Sequence, residues 1–150
     1  MPVNEDGNIV LYHATSVEGA ASIRKNGVDL LHVNRDMDFG RGFYTTTDFE
    51  QAKAWAAKRH NGGAIVTFEI SPDELNQLNN KFFATTDSAW MDAVVAGRKG
   101  VQPAYDTVSG IMLKNVNAAV SGKALPIGSG QQTTFLSDKA IALLNKGLKK

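Results

Sequence analysis

Hydrophobic and polar positions along the chain alternate between two periods. Ile9-Val10-Leu11-Tyr12-His13 is a β-branched and aromatic run ending on a polar residue, which predicts a buried strand. Ser16 then caps a helix from Val17 to Asn26 with Ala20 and Ile23 inward, Arg24 and Lys25 in the last turn, and Gly27 as the stop. Val28 to Arg41 follows no period over a useful length and reads as an ordered loop. Phe43 to Thr47 is strand-like, and Asp48 caps a helix carrying Phe49, Ala52, Trp55, Ala56 and Arg59.

Further along, Ile65, Val66, Phe68 and Ile70 mark a strand from Ala64 to Ile70, and Ser71-Pro72 opens a short helix with Pro at its first position. Thr86 or Asp87 caps a helix with Trp90, Ala93 and Val94 that ends near Arg98-Lys99-Gly100. Tyr105 to Gly110 reads as a short strand, Ile111 to Val120 is ambiguous, and Gly128-Ser129-Gly130 predicts a flexible turn. Gln131 to Leu136 is rich in β-formers, and Ser137 or Asp138 caps a last helix with Ile141, Leu143, Leu144 and Leu148. Short, irregularly spaced strands among helices favour an α+β domain over a doubly wound parallel sheet.

Length and charge narrow the function classes. The 150 residues predict one domain, 1–150, with polar residues 1–8 as a flexible leader and no secretory signal pattern among them. Sixteen Lys and Arg against fifteen Asp and Glu leave a charge of +1, too balanced for affinity resting on blanket neutralisation of phosphates. The absence of cysteine excludes disulfides, thiolate nucleophiles and sulfur-bound metals, and three dispersed histidines (His13, His32, His60) form no metal pattern, so no metal is expected. No apolar stretch approaches the roughly 20 residues of a membrane-spanning helix, so no membrane partner is expected either.

Gly40-Arg41-Gly42 lacks the Gly-Lys-Ser/Thr ending of a triphosphate loop and the third glycine of a dinucleotide fingerprint. Two readings remain: a loop whose backbone approaches a ligand while Arg41 reaches a pyrophosphate, or a glycine-rich hairpin entry with a solvated arginine. His13 at a strand end suits an acid, a base, a sugar-binding group or a half-buried imidazole.

The order of motifs is more specific than any one of them. Tyr12-His13-Ala14-Thr15, Asp38-Phe39-Gly40-Arg41-Gly42-Phe43-Tyr44-Thr45-Thr46, Ala52 to Ala56 with Trp55, and Gln132-Thr133-Thr134-Phe135 follow one another along the chain. This order resembles the ADP-ribosyltransferase superfamily, in its His-Tyr branch with Glu or Gln at the third motif, and within it small bacterial domains found in polymorphic toxins. The resemblance runs from about Leu11 to the last helix and implies split antiparallel sheets flanked by helices, with NAD in the cleft between them.

By that resemblance His13, Tyr44 and Gln132 are the catalytic set. His13 binds a ribose hydroxyl, Tyr44 stacks on nicotinamide, and Gln132 takes the place usually held by Glu beside the reacting ribose. Period-two alternation turns its neighbour Gln131 to the opposite face. Ala14 and Thr15, Arg35, Phe39, Gly40, Arg41, Gly42 and Phe43 complete the implied NAD-binding set. The implied activity is cleavage of the nicotinamide–ribose bond with transfer of ADP-ribose to a protein or nucleic acid; hydrolysis by water and non-catalytic NAD or ADP-ribose binding are the alternatives. A toxin role further implies a cognate immunity protein and a cytoplasmic site of action, reached by secretion or delivery as part of a larger toxin.

Overall fold

The computed structural model describes residues 1–32 and 37–150. Side-chain caps start five of its helices. Ser16 accepts from Gly19 N–H ahead of α1 (Val17–Asn26), and Asp48 from Gln51 N–H ahead of α2 (Phe49–Arg59). Ser71 does the same for α3 (Pro72–Asn76), Asp87 for α4 (Ser88–Arg98) and Ser137 for the last helix, Asp138–Lys146. Each cap satisfies a backbone donor that the first helical turn cannot. A single 3-10 turn, Leu30–His32, interrupts the loop expected after Gly27.

The strands make two sheets. β1 (Ile9–Thr15) pairs antiparallel with β3 (Ala64–Ile70), putting Leu11 opposite Phe68, both fully buried. The second sheet has the order β2 (Phe43–Thr45), β6 (Gly128–Phe135), β5 (Thr107–Leu113), β4 (Asn80–Phe82). Among the described residues a single bridge joins the sheets, with Tyr12 N–H donating to Thr46 O at 2.8 Å and Thr46 N–H to Tyr12 O at 2.9 Å.

Two cores lie on opposite faces of the four-stranded sheet. Phe43 and Phe135 turn toward β1, β3 and the last helix, α6 (Asp138–Lys146), joining Leu11, Val66, Phe68 and Leu144. Val108 turns the other way, to Trp90, Val94 and Phe39. Trp90 is fully buried, and its indole N–H donates to Ile111 O at 2.7 Å. The α+β expectation holds, with two sheets and six α-helices among the described residues.

Two local expectations are corrected and one ambiguity is resolved. Gly128-Ser129-Gly130 is no turn: it begins β6, because β5 extends to Leu113 and pairs Leu113 with Gly128 and Met112 with Ser129. The ambiguous stretch from Ile111 divides into the end of β5 and a short helix, α5 (Val116–Val120). β4 was not predicted, being short and polar; it pairs parallel with β5, so the second sheet is not wholly antiparallel. Thr107 hydroxyl and Asn80 Oδ1 share a 2.5 Å bond across that pair. Within residues 1–8, Asn4 Oδ1 accepts from Asp6 and Asn8 N–H, both at 3.0 Å, while its Nδ2 donates to Glu69 at 2.6 Å.

Candidate functional site

The site begins where the two sheets part. An antiparallel ladder continued from the Tyr12–Thr46 bridge would next pair Ala14 with Tyr44. Instead the Tyr44 carbonyl lies 2.7 Å from Nδ1 of His13. A carbonyl only accepts, so Nδ1 carries the proton and the other ring nitrogen, Nε2, is left as an acceptor. The ring is stacked on Phe43, with centroids 4.0 Å apart and planes 27° apart. Burial pulls the imidazole down from the ordinary 6.5 to about 4, against the opposing effect of the Tyr44 bond and with a small contribution from His60. His13 is therefore neutral at physiological pH.

Pleating decides where the Ala14 backbone points. Tyr12 N–H and C=O face Thr46, away from β3, and Ala14 has the same parity along β1. Lys149 N–H reaches Thr67 O at 2.9 Å and Arg24 reaches Ile65 O at 3.0 Å, so those carbonyls also face away from β1, as this parity requires. The Ala14 amide and carbonyl consequently face the gap that opens as β2 diverges. They offer one donor and one acceptor side by side, the complement of a primary carboxamide.

On the other side of the gap, Tyr44 fastens the loop before it. Its hydroxyl donates to Gly40 O at 2.7 Å and accepts from Phe39 N–H at 2.8 Å. Burial, with the nearby Asp38 charge adding to it, holds the phenol well above its ordinary range, so it stays protonated. Gly40 has a φ of +84°, which suits glycine in this turn. Asp38, only 2% exposed, ties its loop to three elements: Oδ1 accepts from Arg98 Nε at 2.7 Å, and Oδ2 accepts from Leu113 N–H at 2.7 Å and Gln132 Nε2 at 2.8 Å. Gly97 makes this approach feasible, because a Cβ there would strike the Asp38 carbonyl.

These groups surround a cleft of about 1000 Å³, at the upper end of the roughly 300–1,000 Å³ usual for small-molecule sites. His13, Ala14, Thr15, Gly42, Phe43, Tyr44 and Gln132 all line it. The structure thus brings together seven of the residues singled out from sequence. Gln132 is 5% exposed, whereas Gln131 is exposed, with its amide on Thr47 and its backbone paired to Gln51, as the alternation requires.

Three of the expected NAD-binding residues do not line the cleft. Phe39 is 1% exposed and stacked on Phe83 at 5.8 Å, a core residue, because the turn at Gly40 directs it under the sheet. Gly40 and Arg41 face Gln102 and Pro103: Arg41 N–H donates to Gln102 Oε1 at 2.9 Å and Gln102 Nε2 to Arg41 O at 2.7 Å. Arg35 lies outside the described residues. Conversely, the cleft is lined by Asp38, Trp55, Arg59, His60 and Arg98, none of which was assigned a role from sequence. Trp55 and Arg59 stand one helical turn apart on α2, and the guanidinium lies 5.3 Å from the indole centroid. That i, i+4 spacing is visible in sequence; its direction toward the cleft is not.

Fold and site together define an α+β domain whose two sheets part around a cleft lined by a neutral histidine, aromatic rings and arginines. Residues 9–122 match the model of a family described as a protein of unknown function, DUF3990, and the chain belongs to that family. The match contains His13, Asp38, Tyr44 and Arg98 and stops short of Gln132. None of the curated proteins matches the chain.

Proposed function

We propose that the protein is an NAD-dependent ADP-ribosyltransferase of the ADP-ribosyltransferase-like fold, a toxin or effector domain that breaks the nicotinamide–ribose bond. The observation that carries the reading is the convergence of His13, Tyr44 and Gln132, remote in sequence, on one cleft. The chemistry of the lining fits NAD. Ala14 N–H and C=O complement the nicotinamide carboxamide, and Phe43, Tyr44 and Trp55 supply ring faces for it. His13 Nε2 accepts from a ribose hydroxyl. Arg59 provides a cation for the pyrophosphate.

In the reaction, the bond between the ribose carbon and the nicotinamide nitrogen breaks and its electron pair leaves with neutral nicotinamide, so no general acid is required. The ribose becomes cationic, and on this reading Gln132 Oε1, the amide atom not bonded to Asp38, meets that charge as it develops. A nucleophile from a protein or nucleic acid then bonds to the ribose carbon and loses its proton to solvent. A cognate immunity protein covering the cleft and delivery into a target cell's cytoplasm belong to the same proposal.

The test is purified protein mixed with NAD, with nicotinamide release followed in the presence and absence of cell lysate. Release that depends on lysate supports transfer; release without it identifies a glycohydrolase; binding with no release identifies a binding module. Absence of both binding and release overturns the proposal.

A further inference from the structure

Three donors from three elements meet on the buried carboxylate of Asp38: Arg98 of α4, Leu113 of β5 and Gln132 of β6. A carboxylate accepts only. The Gln132 amide is therefore held with its nitrogen toward Asp38, which leaves Oε1 as its acceptor for the cleft. We propose that Asp38 is the positioning residue for Gln132 and that it makes position 132 a place for a neutral hydrogen-bond donor, so that glutamine there is the working residue rather than a weakened glutamate. The functional half of this inference rests on the NAD-cleaving reading, whereas the pairing half rests on the geometry alone.

Charge balance gives the reason. A glutamate at 132 would set a second carboxylate about 2.8 Å from the first. Among the described residues, the charged group that touches Asp38 is Arg98, and the Tyr44 phenol stays protonated nearby. The other titratable groups lining the cleft, again among the described residues, are His13, Asp29, Arg59 and His60. Arg98 already faces Asp38 and cannot neutralise two carboxylates at once. A glutamate would keep a proton and donate it to Asp38, as the amide does now. With glutamine the negative charge stands one hydrogen bond behind the amide and polarises Oε1 toward the reacting ribose. The sequence feature that looks like a loss, an amide where a carboxylate is usual, is matched by a carboxylate supplied from the loop.

Replacing Asp38 would strand three donors and unfold the site, so the test is placed on its partner. Gln132→Glu is compared with the unaltered protein by thermal unfolding between pH 4.5 and 7.5. A carboxyl whose pKa is raised in the folded state contributes stability below its unfolded pKa and loses it as pH rises through the folded value. The gap in Tm is therefore expected to be small at pH 4.5 and to widen toward pH 7.5. A gap that is constant or narrows overturns the proposal. So does a variant that fails to fold at pH 4.5 where the parent folds, because protonated glutamate has the shape and the donor of glutamine.

A second arm follows nicotinamide release. For Gln132→Glu relative to the parent, kcat is expected to be best at low pH and to fall about tenfold per unit above the new carboxyl's pKa, while KM for NAD changes less than threefold. Equal loss at every pH, or a gain at pH 7.5, overturns the positioning role. If the parent neither binds nor cleaves NAD, the functional reading falls by itself and the unfolding arm still decides the Asp38 pairing.

Discussion

His13 Nδ1 donates to the carbonyl of Tyr44 across 2.7 Å, occupying the acceptor that the Ala14 amide would take if β1 and β2 zipped up completely. One side chain thus holds the sheets together and keeps them apart. It satisfies the Tyr44 carbonyl while leaving the Ala14 backbone facing the cleft.

Stability should follow the protonation of that imidazole. The folded value near 4 lies below the ordinary 6.5, so the contribution is complete above pH 6.5 and lost as pH falls toward 4, amounting to about 3 kcal/mol. Urea unfolding across this window should show a shallower loss for His13→Gln than for the parent. Gln can still donate to Tyr44 O but cannot titrate; equal slopes for the two proteins would contradict a neutral His13.

Tyr44 should separate into ring and hydroxyl. Tyr44→Phe keeps the ring but removes a donor to Gly40 O and an acceptor for Phe39 N–H, at a cost of about 1–3 kcal/mol in unfolding free energy. Tyr44→Ala should in addition weaken NAD by about 0.5–1.5 kcal/mol from the lost stacking. Calorimetric NAD titration of both variants checks this, with Phe the tighter binder.

Arginine substitutions should reveal which side of the Gly40 turn meets a pyrophosphate. Arg59 lines the cleft and Arg41 lies on the Gln102 side of the turn. Arg59→Ala is expected to weaken NAD more than nicotinamide riboside, and added salt should reduce the difference. Arg41→Ala should leave both affinities within about twofold, since an exposed charge off the site is worth little. Reversal of the two results would move the pyrophosphate to the other face.

Arg98→Met should be costly although Arg98 sits at the cleft edge. It removes the cation from a carboxylate that is 2% exposed, and breaking a buried pair from one side costs about 3–5 kcal/mol. Chemical denaturation at neutral pH measures the loss. A change under about 1 kcal/mol would mean that Leu113 N–H and Gln132 suffice to hold Asp38.

The sequence alone determined the elements with strong local signals. Ser16, Asp48, Ser71 and the Trp90 helix could be placed because capping and helical periodicity are written within a few neighbouring residues. The alternation separating Gln132 from Gln131 is equally local, and the β6 structure follows it. His13, Tyr44 and Gln132 could be nominated because each stands in a short contiguous motif that carries the family resemblance.

Tertiary structure decided the rest, because no local period carries it. β4 exists by pairing with β5, and Gly128 to Gly130 are strand because β5 runs alongside them. Phe39 and Asp38 are adjacent in a turn, yet one enters the core and the other collects donors from α4, β5 and β6. Trp55 and Arg59 are an ordinary helical pair until α2 docks at the cleft. Backbone propensity acts over a few residues, whereas the partners of a buried charge and the parting of two sheets are settled by segments distant along the chain.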